Sequence, residues 1–169
     1  MKNYFAKINK GFIVLTLLCC VMLLSCGESV IDISLNDLAG VIGEKIDLSN
    51  TVEYSDTIKN ELGINDGNSV QLVVLKEMDV NSSEILILVE APDKDKAKEI
   101  EEKLKSYKTN KLNELRDYTA NPDNETQYYL VEDSEIIVEQ QYVFLAVNNK
   151  SKEINEIIKK YVKDNTTKS

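Results

Sequence analysis

Apolar runs divide the chain into segments of two periodicities. Four runs are short and either alternate with polar residues or continue without a break, which is typical of β-strands. They predict strands at residues 70–76, 84–90, 134–140 and 142–147. Polar residues separate the two runs of each pair, so each pair is expected to form an antiparallel hairpin. The unbroken runs Ile85–Val89 and Val143–Val147 favour inner positions, because strands buried on both faces lack alternation.

Apolar residues spaced by three and four predict helices around these strands. The longest predicted helix covers residues 94–118, where side chains such as Ala97 and Leu104 share one face and charged residues fill the other. Shorter helices are expected at residues 36–46, 52–62 and 154–162. Residues 127–131 are ambiguous, since they fit a short strand, a helical turn or an exposed patch.

Residues suited to helix ends support these boundaries. Ser34 is placed to cap the first helix, and Asp37 follows three residues later in the acidic position of a capping box. Asp93 is placed to cap the longest helix. Gly63 suits the end of the second helix, because glycine tolerates the left-handed backbone found there.

Together these elements predict an α+β fold. We expect one four-stranded, mostly antiparallel sheet, covered by a long central helix plus N- and C-terminal helices. A single domain over residues 35–163 fits the chain length. Residues 164–169 are polar and are predicted to be a frayed tail.

The N-terminal segment has the pattern of a bacterial lipoprotein signal peptide. Three lysines precede an uncharged apolar run from Gly11 to Leu24. The run closes on an aliphatic residue, a variable one, a small one and a cysteine: Leu23, Leu24, Ser25 and Cys26. The Cys26 thiol is the expected acceptor of a diacylglyceryl group, with cleavage between Ser25 and Cys26. Residues 1–25 are therefore predicted to be removed and residues 26–34 to form a tether, which places the protein on the outer face of the cytoplasmic membrane.

Two other interpretations of this segment remain. A transmembrane helix is disfavoured, because the run from Gly11 to Leu24 would span about 21 Å as a helix against a hydrocarbon core of about 30 Å. An ordinary secretory signal is also disfavoured, because Leu23 and Leu24 crowd Ser25 and make a poor small-x-small cleavage site.

Charge and composition narrow the function classes. The chain carries a formal charge of −9, and residues 1–25 hold three lysines and no acid, so the mature chain would carry −12. Nucleic acid is not an expected partner, because phosphate backbones repel so acidic a domain. The chain has no histidine, which excludes Ser-His-Asp and Cys-His catalysis and the usual zinc sites. We expect no catalytic residue, no cofactor and no metal. Cys19 and Cys20 would leave with the signal peptide, so no disulfide is expected.

The order of elements from Leu35 to Val162 resembles a family of small Gram-positive, clostridial-type lipoproteins that carry a domain of unknown function. The resemblance depends on three segments: Ser83-Glu84-Ile85 opening the second strand, the helix ending at Tyr118, and the closing hairpin Ile136–Val147. In that family the hairpin turns through a glycine and an arginine lies in the middle of the long helix, where this chain has Gln140-Gln141 and lysines. The resemblance implies a lipoprotein and no established activity.

The leading functional interpretation is a non-catalytic binding or interaction module at the cell envelope. It would be held to the membrane through lipidated Cys26 and would contact an envelope protein or a wall component. Tyr128 and Tyr129 are the candidate interaction surface, together with Tyr118 and Tyr142. The competing interpretation is that these tyrosines complete the core and leave their hydroxyls at its rim.

Two further functions stay open. An envelope enzyme would use paired carboxylates, for instance among Glu132, Asp133 and Glu135, and would require two of them in one cleft. A small solute-binding lipoprotein would capture a ligand for a transporter, although such proteins usually close two lobes around it.

Overall fold

The structure, a computed structural model, describes residues 29–64, 69–117 and 122–168. The strands within these residues are β1 (Ser29–Ile31), β2 (Thr51–Glu53), β3 (Gln71–Glu77), β4 (Ile85–Glu90), β5 (Ile136–Glu139), β6 (Tyr142–Val147) and β7 (Thr166–Lys168). The helices are α1 (Leu35–Gly43), α2 (Ser55–Glu61), α3 (Lys94–Asp117), α4 (Pro122–Glu132) and α5 (Ser151–Asp164). The predicted signal peptide and Cys26 lie outside the described residues.

The described chain forms two units. Residues Asp32–Asn165 form the larger one, which holds β2–β6 and the five helices. In the other unit β1 pairs antiparallel with β7, with Ser29 opposite Lys168. The sequence predicted a tether and a frayed tail at these positions, whereas the structure has a two-stranded ribbon. Its segments contain Val30, Thr166 and Thr167, whose branched side chains favour extended backbone.

The larger unit is built on a five-stranded sheet in the order β2-β3-β4-β6-β5, and all neighbouring strands are antiparallel. The α+β class, both hairpins and the inner positions of β4 and β6 are confirmed. The prediction of four strands is wrong, because β2 adds a fifth through its pairing with β3. The spacing of Tyr54, Ile58 and Leu62 predicted a helix from residue 52, but the helix begins at Ser55.

Helices cover both faces of the sheet. One face carries Ile87 of β4 and Leu145 of β6, which belong to a buried cluster with side chains of α2, α3 and α4. The other face carries Leu88 and Phe144, which are fully buried, and α1 and α5 contact the sheet on that side. The long helix α3 is therefore not a single central cover, since α2 and α4 share its face. The ambiguous residues 127–131 belong to α4.

The three residues predicted to mark helix ends are confirmed in that role. The Ser34 hydroxyl accepts a hydrogen bond from the Asp37 backbone N–H at 3.2 Å and caps α1. The Asp93 carboxylate accepts from the Lys96 backbone N–H at 2.8 Å at the start of α3. Gly63, with a φ of +59°, follows α2 in the left-handed conformation.

The turn between β5 and β6 explains why a glycine is suited to this hairpin. Its two residues are Gln140 and Gln141, because Glu139 pairs with Tyr142. Gln140 has a φ of 55°, and it is the one non-glycine residue with a positive φ in the described part of the chain. A positive φ at the first of two central residues is typical of a type II′ turn, which prefers glycine there.

We expect Gln140→Gly to raise the free energy of unfolding by about 0.5–1 kcal/mol. Left-handed backbone costs a residue with a Cβ about 1–2 kcal/mol, and the greater freedom of glycine in the unfolded chain removes part of this gain. Gln141→Gly is the matched control, and it should lower stability because Gln141 has no positive φ. Urea unfolding of the two variants would measure the difference. Equal destabilisation by both would contradict this account of the turn.

Candidate functional site

A cavity of about 380 Å³ lies between α3, α4 and the loop that joins β3 to β4. Small-molecule sites usually measure about 300–1,000 Å³, so its size suits a small ligand. Its floor is apolar and is formed by four buried side chains, Ile85, Val131, Leu145 and Val147. Polar side chains of α3 and of the β3–β4 loop surround the opening.

Local hydrogen bonds fix the loop at the mouth of this cavity. The Asp79 carboxylate accepts from the Asn81 backbone N–H at 2.9 Å, and the Asp79 carbonyl accepts from the Ser82 N–H at 3.0 Å. The Ser83 backbone N–H donates to the Gln127 side-chain oxygen at 2.7 Å. This last bond joins the loop to α4, so two walls of the cavity are held together.

The charged side chains that line the cavity are mainly cationic. Lys76 comes from β3, and Lys108 and Lys111 come from α3. The one carboxylate among the described lining residues belongs to Glu114, whose oxygen lies 2.8 Å from the Lys111 ammonium. The whole chain has 29 acidic and 20 basic residues, so the cavity reverses the charge balance of the protein.

Lys76 is held in place by an aromatic ring. Its ammonium lies 4.9 Å from the centroid of the Tyr54 ring, within the range of a cation–π interaction. Over the described residues, no carboxylate oxygen lies within 4.0 Å of this half-buried ammonium. Among these residues, Lys76 is therefore a positive charge without a carboxylate counter-ion in the wall of the cavity.

The pleat of the sheet turns the neighbouring acids away from the cavity. Lys76 lies on the cavity face, and Glu77 and Glu84 line a smaller hollow on the opposite face beside Leu86. Burial raises the pKa of the Glu84 carboxyl, and the negative charge of Glu77 acts in the same direction. The Asn148 side-chain amide donates to the Glu84 carboxylate. Positive and negative charges at this end of the sheet are thus separated by strand alternation.

Lys108 has a structural role. Its ammonium donates to the backbone carbonyls of Glu132 at 2.9 Å and of Ser134, at and just beyond the end of α4. Burial lowers the pKa of Lys108, while the nearby Asp133 and Glu132 carboxylates act against this shift. Two of its three N–H donors bond these carbonyls, so Lys108 contributes mainly its positive charge to the cavity wall.

Tyr107 is a half-buried phenol in the same wall. Burial raises its pKa, and the negative charges of Glu61 and Glu114 act in the same direction. Tyr107 is therefore neutral at physiological pH. Within the residues that the structure describes its hydroxyl makes no hydrogen bond, so the O–H remains available as a donor.

The predicted tyrosine surface is separate from the cavity lining. Tyr128 is half-buried on α4, and its hydroxyl accepts from Arg116 and donates to Glu132, both at 3.2 Å. Tyr129 is 51% exposed, and its ring meets that of Tyr128 edge-on with centroids 5.6 Å apart. Their role as an interaction surface stays a prediction.

Of the other two tyrosines, Tyr142 is not part of such an exposed surface. Tyr142 is buried, and its hydroxyl accepts from the Ile33 backbone N–H at 3.3 Å and donates to Glu90 at 3.2 Å. The inclusion of Tyr142 in the surface is therefore wrong, because its position in β6 turns it into the core. Tyr118, Ser25 and Cys26 lie outside the described residues.

The acids considered for catalysis are exposed and do not line the cavity. Glu132 and Asp133 lie at the end of α4. Glu135 accepts from Lys159 at 3.4 Å and from Asn155 at 3.5 Å. Over residues 29–64, 69–117 and 122–168, no group of three or more histidines, cysteines or acids is arranged to hold a metal ion. None of the helices in these ranges is both long and apolar enough to cross a bilayer.

The cavity lysines were not among the predicted site residues, although the sequence contains two signals of them. Lys76 shares the inward-facing alternation of Val74 on β3, which is unusual for a charged residue. Lys111 interrupts the apolar stripe of α3 at a position where a further apolar side chain is expected. Both are charges at positions that the pattern assigns to the buried side.

Comparison with known proteins identifies the domain that carries this cavity. Residues 44–148 match DUF4358, a domain of unknown function. No curated protein and no solved structure matches the chain. The described residues that line the cavity all lie within the matched range, whereas Cys26 and α5 lie outside it. Because the match covers more than half of the chain, the protein belongs to the DUF4358 family.

Proposed function

We propose that this protein is a lipid-anchored, non-catalytic binding module on the outer face of the bacterial cytoplasmic membrane. Its ligand site is the cavity between α3, α4 and the β3–β4 loop. The observation that carries the proposal is the combination of an apolar floor and a polar rim in a cavity of about 380 Å³. Concave sites that combine an apolar surface with placed polar groups are where proteins bind small molecules.

The distribution of carboxylates favours binding over hydrolysis. A carboxylate-based glycoside hydrolase places two acids on opposite sides of the scissile bond. Glu114 is the one acid among the described lining residues, and it is paired with Lys111. The size of the cavity favours binding of a small solute. The envelope partner, either a protein or a wall component, would then bind a different surface, for which Tyr128 and Tyr129 are candidates.

The anchor is supported by the sequence Leu23, Leu24, Ser25 and Cys26. We expect cells grown with an alkyne fatty acid to attach the label to the wild-type protein. Cys20→Ala should keep the label, because Cys20 lies within the apolar run, and Cys26→Ala should lose it. Mass spectrometry of the N-terminal peptide would locate the lipid. An unlabelled wild type, or a labelled Cys26→Ala variant, would contradict lipidation at Cys26.

The ligand site can be tested by closing the cavity. Asn81 is exposed at the mouth, so Asn81→Trp should fill the opening without disturbing the core. Thr126→Trp is the matched control, because Thr126 is exposed on α4 and does not line the cavity. The anchored protein in neutral-lipid nanodiscs would be heated with hexanoate, hexyl phosphate, 1-hexanol or hexylammonium.

At a concentration of about 100 times Kd, a bound compound should raise Tm by about 5–10 °C. We expect this shift in the wild type and in Thr126→Trp and its loss in Asn81→Trp. If none of the four compounds shifted Tm, or if Asn81→Trp responded like the wild type, the cavity would not be the site.

A further inference from the structure

We infer that the ligand of this cavity is an amphipathic anion, whose carboxylate or phosphate group lies between Lys76 and Lys111 and whose apolar part covers the floor. This inference rests on the proposed function, because it names the ligand class for the same cavity. Four observations support it.

The first observation is the local charge. Three lysines and one glutamate line the cavity of a chain whose formal charge is −9. A recess that has one sign of charge and low-dielectric walls concentrates ligands of the opposite sign. The net negative charge of the chain repels anions, whereas the charged side chains of this recess attract them.

The second observation is that the Lys76 side chain is preorganised for binding. It extends from β3, where the neighbouring inward residue Val74 is fully buried, and the Tyr54 ring holds its ammonium. A cation that is fixed by a rigid strand and an aromatic ring loses little freedom on binding. Because it has no carboxylate partner over the described residues, an incoming anion supplies its first counter-ion.

The third observation is that Lys111 can exchange its partner at low cost. Its pair with Glu114 joins positions i and i+3 on α3, and both side chains are partly exposed. Surface pairs of this kind contribute little to stability, about 0–1 kcal/mol. Lys111 can therefore turn from Glu114 to a ligand anion, while the neutral Tyr107 hydroxyl in the same wall supplies a further donor.

The fourth observation is the floor. Ile85, Val131, Leu145 and Val147 offer a buried apolar surface below the lysines. An inorganic anion would leave this surface uncovered, whereas an alkyl or aryl group attached to the anion would remove it from water. The arrangement therefore favours an anion with an apolar body over a free inorganic ion.

The test is calorimetric titration of the anchored protein in neutral-lipid nanodiscs, with the signal of empty nanodiscs subtracted. Hexanoate and hexyl phosphate carry the two candidate head groups, so the tighter of them identifies the preferred one. Hexylammonium and 1-hexanol have the same apolar body without the negative charge. Acetate and inorganic phosphate have the charge without the apolar body.

Lys76→Gln and Lys111→Gln should each weaken binding of the anionic hexyl compounds by about 10–100-fold, since charge-assisted hydrogen bonds contribute about 1.5–3 kcal/mol. Lys98→Gln is the matched control, because Lys98 lies on α3 with its side chain 71% exposed. Lys76→Arg keeps the charge and should retain binding within a few-fold. This rescue separates loss of the anion site from loss of the fold.

The outcomes separate this inference from the proposed function. Suppose that 1-hexanol or hexylammonium bound as tightly as hexanoate and that Asn81→Trp abolished that binding. The inference that the ligand is an anion would then be wrong, but the cavity would still be the ligand site. If acetate and inorganic phosphate bound as tightly as their hexyl counterparts, the inference that the ligand has an apolar body would be wrong. If no compound bound at the site closed by Asn81→Trp, both proposals would fail.

Discussion

Replacing Phe144 with alanine is expected to lower the free energy of unfolding by about 3–5 kcal/mol. Phe144 lies in the inner strand β6, directly opposite Leu88 of β4, and both side chains are 0% exposed. Its ring is stacked on that of Tyr142, with centroids 6.2 Å apart. The neighbouring strands are fixed by their ladder, so the core cannot collapse into the space that the ring leaves. Natural domains are stable by about 5–15 kcal/mol, so this one change removes a large share of that stability.

Urea unfolding would measure the change in the free energy of unfolding. The m-value, which is the slope of that free energy against urea concentration, should stay the same. Tyr129→Ala is the matched control, since it also deletes an aromatic ring but from a side chain that is 51% exposed. That variant loses an edge-on contact with Tyr128 and should cost about 1 kcal/mol. Similar losses from the two variants would mean that the inner face of β6 is not the close-packed centre of the domain.

The second large effect is expected at Lys108, where methionine should lower the free energy of unfolding by about 2 kcal/mol. Methionine keeps the apolar stem of the side chain but leaves the carbonyls of Glu132 and Ser134 without the ammonium donor. Ser134 is buried, so water cannot fully replace the lost hydrogen bond at that carbonyl. The energy gained by removing a half-buried charge offsets part of this loss.

Lys105→Met, less than one turn earlier on α3, is the control for this prediction. The Lys105 side chain is 50% exposed and pairs with Glu101 and Glu102, so its loss should cost less than about 1 kcal/mol. Hydrogen exchange would locate the effect, because Lys108→Met should loosen the C-terminal turn of α4. Unchanged protection of that turn would show that the ammonium does not stabilise it.

The parts of the fold that the sequence predicts are those with long periodic patterns. The runs in β4 and β6 and the stripe of α3 each repeat often enough to define their period, and capping residues mark the helix ends. The strands β1, β2 and β7 have three residues each, so alternation has no length over which to develop. Helix α4 could not be predicted, because its apolar and polar residues do not separate onto two faces.

The cavity was harder to predict than the fold because its parts are far apart in the sequence. Lys76 is on β3, Lys111 is on α3, and the apolar floor includes residues of β6. Periodicity shows that each lysine interrupts a buried pattern, but it does not show that the two interruptions meet. Their meeting depends on the pairing of β3, β4 and β6 and on the packing of α3 against that face.

The ribbon of β1 and β7 brings the first and last strands of the described chain side by side. Ser29 and Lys168 lie opposite each other, so the backbone leaves this ribbon beside the point where it entered. A short covalent link between the two positions would close the chain into a ring with little further loss of chain entropy, because the ends already meet. Joining the two strands in this way would let the chain be reopened in a distant loop. The circularly permuted protein would have a new order of strands along the chain but the same order of strands in the sheet.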